Sequence, residues 1–145
     1  MILALDISTT TGWALSDGRT GTVDFSEYKN DRPRLLRRYY GWLCAQADRF
    51  NVMYIVVEAP FFRGPHSRLF GSMVDLAHVC ADERGFDSSE VAPTSLKKHA
   101  TGSGNASKDD MIAAAKALGW KVEDDHQADA ALLIEWHHAQ QREAA

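Results

Sequence analysis

Four side chains from three separate segments have the types and spacing to bind a divalent metal. Asp6 closes the apolar run Ile2-Leu3-Ala4-Leu5, and Glu58 closes the run Val52-Met53-Tyr54-Ile55-Val56-Val57. His126 and Asp129 stand three residues apart in a helical stretch, so both can face one site. A carboxylate at the end of a buried strand is costly without a partner. If the Asp6 and Glu58 strands are neighbours, their ends converge and the helix face completes a cluster of hard oxygen ligands plus one imidazole. Such a donor set suits Mg²⁺ or Mn²⁺. Two such ions a few ångströms apart can activate water and stabilise a leaving 3′-oxygen in phosphodiester hydrolysis. Asp125 is an alternative to His126, since Asp125 and Asp129 are four apart, although Asp124 and Asp125 also suit a helix N-cap and its dipole.

A second group of residues suits nucleic acid. Lys97, Lys98 and His99 form a small basic cluster, and Lys108 follows the loop Gly102-Ser103-Gly104-Asn105. A solvated helix face explains these lysines as simply as phosphate binding, and backbone N–H groups at the helix start add a receptor for phosphate. Phe61 and Phe62 are adjacent in a loop with Pro60, Arg63, Gly64 and Pro65. Two neighbouring aromatics rarely both find core space, so one is expected to stack on a base or wedge between bases.

These residues need a scaffold of strands and helices. Ile2 to Asp6 reads as a strand and Ser8 to Gly12 as a turn. Trp13 to Ser16 and Gly21 to Phe25 read as two further strands joined at Asp17-Gly18. Leu35, Leu36, Tyr39, Tyr40, Leu43, Ala47 and Phe50 recur at helical spacing after Pro33. Val52 to Glu58 has the apolar, β-branched character of a central strand buried on both faces. A helix from about Ser67 to Arg84 stops at Gly85, a short strand spans Glu90 to Ala92, and Pro93 opens a short helix. Ser107-Lys108-Asp109-Asp110 starts a helix that ends at Gly119, and the last helix starts near Asp124 or Asp125 and runs past Trp136 into a frayed tail. The order implies one α/β domain over residues 1–145, with a mixed five-stranded sheet: three antiparallel N-terminal strands, then parallel ones, flanked by helices.

Bulk properties agree with a single soluble domain. The 145 residues are 45% hydrophobic and 25% charged, enough to build a core, and no apolar run reaches the length of a membrane span. The start of the chain reads as a strand, not as a secretion signal. Cys44 and Cys80 show no paired metal-binding spacing and read as buried free thiols in a reducing, cytoplasmic compartment. The net charge of −4 argues against a nucleic-acid partner, but it is unevenly spread. Residues 31–70 carry seven arginines against three acids, whereas residues 71–145 carry seven cations against thirteen acids. A basic middle beside an acidic remainder is compatible with a phosphate-tracking face and a separate metal cluster.

Taken together, the motifs resemble the RuvC family of Holliday junction resolvases, of the RNase H-like superfamily, in the small form of bacteria and their viruses. Leu5-Asp6-Ile7-Ser8-Thr9-Thr10-Thr11-Gly12-Trp13 resembles the family's opening, with Ser8 where a glycine is usual. Ile55-Val56-Val57-Glu58 resembles its second catalytic strand, and Phe61 falls at its wedge aromatic. Gly102 to Lys108 resembles its glycine loop, the Lys97–Lys108 spacing is shared, and His126-Gln127-Ala128-Asp129-Ala130 resembles its terminal motif with His in the first slot. The resemblance implies a homodimeric endonuclease that cuts four-way junctions symmetrically with two Mg²⁺ or Mn²⁺ ions per site. Asp6 would bridge the ions, with Glu58 and Asp129 each completing a shell. His126 would bind the second ion or orient water. Lys108 would stabilise charge at the scissile phosphate, and Lys97, with Lys98, Arg63, Phe62 and Phe61, would contact branched DNA. Flap, fork or RNA–DNA hybrid cleavage on the same fold is a rival. So, more remotely, is a fragment of an actin-like ATPase, because residues 6–12 also resemble a phosphate-binding hairpin.

Overall fold

Continuous burial along the central strands, whose side chains alternate between the two faces, explains how helices come to cover both faces of the sheet. The computed structural model describes residues 1–60 and 64–145. Among them, the strands β1 (Ile2–Asp6), β2 (Thr10–Leu15), β3 (Thr20–Asp24), β4 (Tyr54–Glu58) and β5 (Asp87–Val91) form one sheet in the order β3-β2-β1-β4-β5. The first three are antiparallel neighbours, and β4 and β5 are parallel to β1. Leu3, Leu5, Ile55 and Val57 pack in one core with helices α1 (Arg32–Arg49) and α2 (Ser67–Glu83). Ala4, Ala14 and Val56 pack in a second core with α3 (Pro93–Thr101), α4 (Lys108–Ala117) and α5 (Asp125–Ala144). Successive strand residues point to opposite faces, so one short apolar run serves both cores.

Three of the helices begin at a polar side-chain cap. The Asp31 side chain accepts from the Arg34 N–H to start α1, Ser107 and Asp110 form a reciprocal box at α4, and Asp124 accepts from the Gln127 N–H at α5. Such caps satisfy amides that have no partner in the first turn.

Boundaries moved where side-chain pattern competed with pairing. β2 starts at Thr10, inside the expected turn. Tight bonds from Ser8 Oγ to the Thr10 carbonyl (2.6 Å) and Thr11 Oγ1 to the Ser8 carbonyl (2.7 Å) confine the bend to fewer residues. β4 starts later than Val52, because the Val52 N–H bonds Ala47 and the Met53 N–H bonds Met1. β5 is longer than expected, and its polar Asp87-Ser88-Ser89-Glu90 segment is held by its parallel ladder to β4. The last helix continues to Ala144 instead of fraying. Cys44 and Cys80 are free thiols, with their sulfurs 3.9 Å apart between α1 and α2.

Candidate metal centre

Strand adjacency brings the first two carboxylates together. β1 and β4 run parallel in the register Leu5↔Val57, so Asp6 and Glu58 leave neighbouring strand ends on the same side. The third carboxylate arrives from the other end of the chain. The first turn of α5 lies against β2 at Gly12, which pairs with Asp6 across the hairpin. A Cβ placed on Gly12 would sit 2.2 Å from the His126 carbonyl oxygen. Glycine is therefore required for this approach, which sets His126 and Asp129 over the end of β1. One oxygen from each of Asp6, Glu58 and Asp129 lies within 4.8 Å of the others.

Such proximity is electrostatically costly, and the titration behaviour records it. Burial, then the Asp6 and Asp129 charges, pushes Glu58 up to about 8. Burial, with Asp6 and Asp125, pushes Asp129 up to about 7. Asp6 is also raised, chiefly by burial, although His126 opposes the shift. Two causes act together here: low-dielectric surroundings disfavour the ionised form, and like charges disfavour each other. His126 Nδ1 lies 2.8 Å from Asp6 Oδ2 and supplies the local positive charge. That hydrogen bond raises the imidazole to about 8.

The donor set fits a hard divalent cation on a specific observation: Asp129 Oδ1 is buried with no hydrogen-bond partner. Buried polar atoms are normally satisfied, so this oxygen, on one of the three clustered carboxylates, is open to a cation or a proton. Three oxygen donors suit Mg²⁺ or Mn²⁺.

The other sequence candidates fall at varied distances from this cluster. His126 touches Asp6 but lies outside the three-carboxylate group. Asp125 faces Lys108, whose Nζ is 3.3 Å from its carboxylate. Lys108 is itself 81% exposed, so it stands at the rim with a free approach from solvent. Lys97 is half-buried on α3 and near enough to Glu58 and Asp129 to lower both. Lys98 is exposed on the same helix. Phe61, Phe62 and Arg63 lie outside the described residues. A cavity of about 280 Å³ opens beside the cluster, lined by Asp6 and Glu58 with Ile7, Pro60, His66 and Phe70. The latter two rings stack at 5.8 Å. His66 and Phe70 were not singled out as site residues; nothing in their local sequence marks them, since only the fold brings the start of α2 beside Asp6.

No protein-family model and no curated protein matches the chain at a significant level. Solved structures do. The chain is similar to Thermus thermophilus RuvC, with 20% identity, a TM-score of 0.79, and 99% of this chain and 96% of that one covered. A structure described as T. thermophilus RuvC in complex with Holliday junction substrate aligns with a TM-score of 0.82 and 20% identity, over 99% and 95% of the two chains. The yeast mitochondrial Holliday junction resolvase aligns with a TM-score of 0.62 and 14% identity, over 97% and 80%. With its five-stranded mixed sheet in the order β3-β2-β1-β4-β5, the chain has the RNase H-like fold of RuvC.

Proposed function

We propose that the chain is a divalent-metal-dependent endonuclease that nicks branched DNA, acting as a homodimer that resolves four-way junctions by paired symmetric cuts. One observation carries the reading: three carboxylates from β1, β4 and α5 converge, with a buried Asp129 oxygen left without a partner. The shared fold with a resolvase described in complex with a Holliday junction supports the choice of substrate. In this reading residues 1–145 act as a single catalytic domain, and the two free thiols fit a reducing cytoplasmic setting. Among the described residues, no helix is long and apolar enough to cross a membrane.

Asp6, Glu58 and Asp129 would hold one or two Mg²⁺ or Mn²⁺ ions. When bound, such ions offset charge on the phosphate and make water acidic enough to supply a nucleophile at neutral pH. The protein's own contribution is positional. His126 donates from Nδ1 to Asp6 and fixes that carboxylate's orientation, as hydrogen-bonded partners of ligands generally do. Lys97 places a positive charge near Glu58 and Asp129. Lys108, exposed at the start of α4 beside Asp125, would exchange that carboxylate for a phosphate when DNA binds. Lys98, with Arg63, Phe62 and Phe61, extends the DNA contact, Phe61 entering the open junction centre.

The test is nicking of a mobile four-way junction beside matched linear duplex, flap and RNA–DNA hybrid, with Mg²⁺ and with chelator. Paired nicks in the junction that require Mg²⁺ are expected. Equal cutting of linear duplex, or cutting in chelator, would refute the proposal, and preference for a flap or hybrid would reassign the substrate.

A further inference from the structure

We propose that Arg34, Arg37 and Arg38 on the exposed face of α1 form a second DNA-contact surface, which holds the phosphate backbone of a duplex arm leaving the metal centre. This inference rests on the junction-nuclease reading. It comes from where the chain returns after β3. Thr10 pairs with Asp24, and the Phe25 N–H donates to the Thr9 carbonyl at 2.7 Å. The short 3-10 turn Ser26–Tyr28 and the start of α1 therefore lie at the same end of the sheet as Asp6. On the other side, Arg32 donates to Ser72 Oγ at 2.8 Å, tying the start of α1 to the first turns of α2, the helix that borders the metal-site cavity.

The three arginines share a face because they stand at helical spacing i, i+3 and i+4. All are exposed, and none has a carboxylate partner among the described residues. Arg34 and Arg38 lie over the Tyr28 ring, at 5.1 and 5.6 Å from its centroid. That holds two flexible side chains in place before any ligand arrives. Shallow depressions lie between the cations, one lined by Asp31, Pro33, Arg34 and Arg37 and another by Arg37, Arg38, Gly41 and Trp42. From Ser26 to Trp42 there are five cations against Glu27 and Asp31, and the Asp31 carboxylate already caps α1.

A phosphodiester backbone fits this surface better than an isolated anion. Arg34 and Arg38 stand about 6 Å apart along the helix axis, so a strand following α1 meets a guanidinium about every second phosphate of its rise. Guanidinium forks also suit phosphate oxygens. Such contacts carry no sequence information, as expected for holding an arm whose sequence varies.

The test measures affinity for a four-way junction in chelator across a range of salt concentrations, comparing wild type with R34Q/R37Q/R38Q and with R37Q alone. Each phosphate contact contributes about 0.9 to the slope of log affinity against log salt. The triple variant should lose roughly two to three from that slope and bind about 10- to 100-fold more weakly near 0.1 M salt. R37Q, whose guanidinium leaves the Tyr28 contacts intact, should lose about one. Trimming the junction arms to a few base pairs should weaken wild type and leave the triple variant little changed. An unchanged slope in the folded triple variant, or in R37Q if the triple variant does not fold, overturns the inference while tight wild-type binding keeps the nuclease reading. Failure of wild type to bind any junction overturns both.

Discussion

Replacing Glu58 with glutamine should make the metal-free protein more stable at alkaline pH, even though it removes one of the three proposed metal ligands. The carboxyl titrates at about 8 in the folded chain, against an ordinary value of 4.5. A raised acid holds its proton more tightly when folded, so its contribution is fully favourable below the ordinary value and is lost as pH rises through about 8. A displacement of this size, at ~1.4 kcal/mol for each pKa unit, puts the cost of ionised Glu58 at pH 9 on the order of 2–4 kcal/mol after allowing for its partial exposure. Glutamine removes that charge with almost no change in shape. For a domain of this size, about 3 °C per kcal/mol converts the gain to roughly 6–12 °C in Tm.

The assay is thermal unfolding in chelator at pH 6 and pH 9, then with Mg²⁺ or Mn²⁺ added. Wild type should lose stability between the two pH values and recover it with metal, by ligand linkage. Glu58→Gln should be flatter with pH and largely indifferent to metal. The exposed Glu143→Gln serves as control for the general effect of removing one negative charge from a chain of net charge −4. If Glu58→Gln melts no higher than this control at pH 9 in chelator, the repulsion argument for the cluster is wrong.

Asp6→Asn and Asp129→Asn should each reduce junction cleavage at least a hundredfold while junction binding in chelator holds or tightens; near-normal nicking by either would remove that residue from the site. His126→Ala should destabilise the metal-free protein more at pH 6 than at pH 9. The imidazole's raised value of about 8 confers stability that is complete below its ordinary 6.5 and vanishes above 8; equal losses at both pH values would reduce His126 to a packing role. Gly12→Ala should lower both Tm and cleavage, since a Cβ would fall 2.2 Å from the His126 carbonyl. Overpacking of this kind costs about 1–3 kcal/mol, and a variant with wild-type cleavage would show that the first turn of α5 can move without consequence.

Asp6 and Glu58 were legible in the sequence because each ends an apolar run, and a charge there breaks a pattern that the sheet otherwise demands. The pairing of β1 with β4 was a condition of that reading, and the parallel register meets it. The polar strand β5 was shorter in the sequence reading because Asp87-Ser88-Ser89-Glu90 has no hydrophobic alternation. Its order comes from hydrogen bonds to β4, a long-range property. His126 and Asp6 both read as ligands. Their direct contact at 2.8 Å is a long-range feature that neither segment encodes by itself.

Gly12 marks the limit of local reading most clearly. In the sequence it looks like the end of a turn, and in the structure it is a strand residue whose missing side chain admits the backbone of residue 126. No local pattern encodes that contact, because its partner lies more than a hundred residues away. Yet it decides whether Asp129 reaches the strand ends at all. A charged cluster assembled from three distant segments cannot relax by moving one loop. Two supports hold the three carboxylates: the sheet fixes Asp6 and Glu58, and a helix whose buried alanines pack with Ala4 and Ala14 fixes Asp129. The repulsion is therefore built into the packing, where protonation, the His126 charge or a bound cation can relieve it. A fold with marginal total stability keeps such a cluster because the packing around it holds, and the same rigidity would preset the oxygens for the proposed cation with little reorganisation.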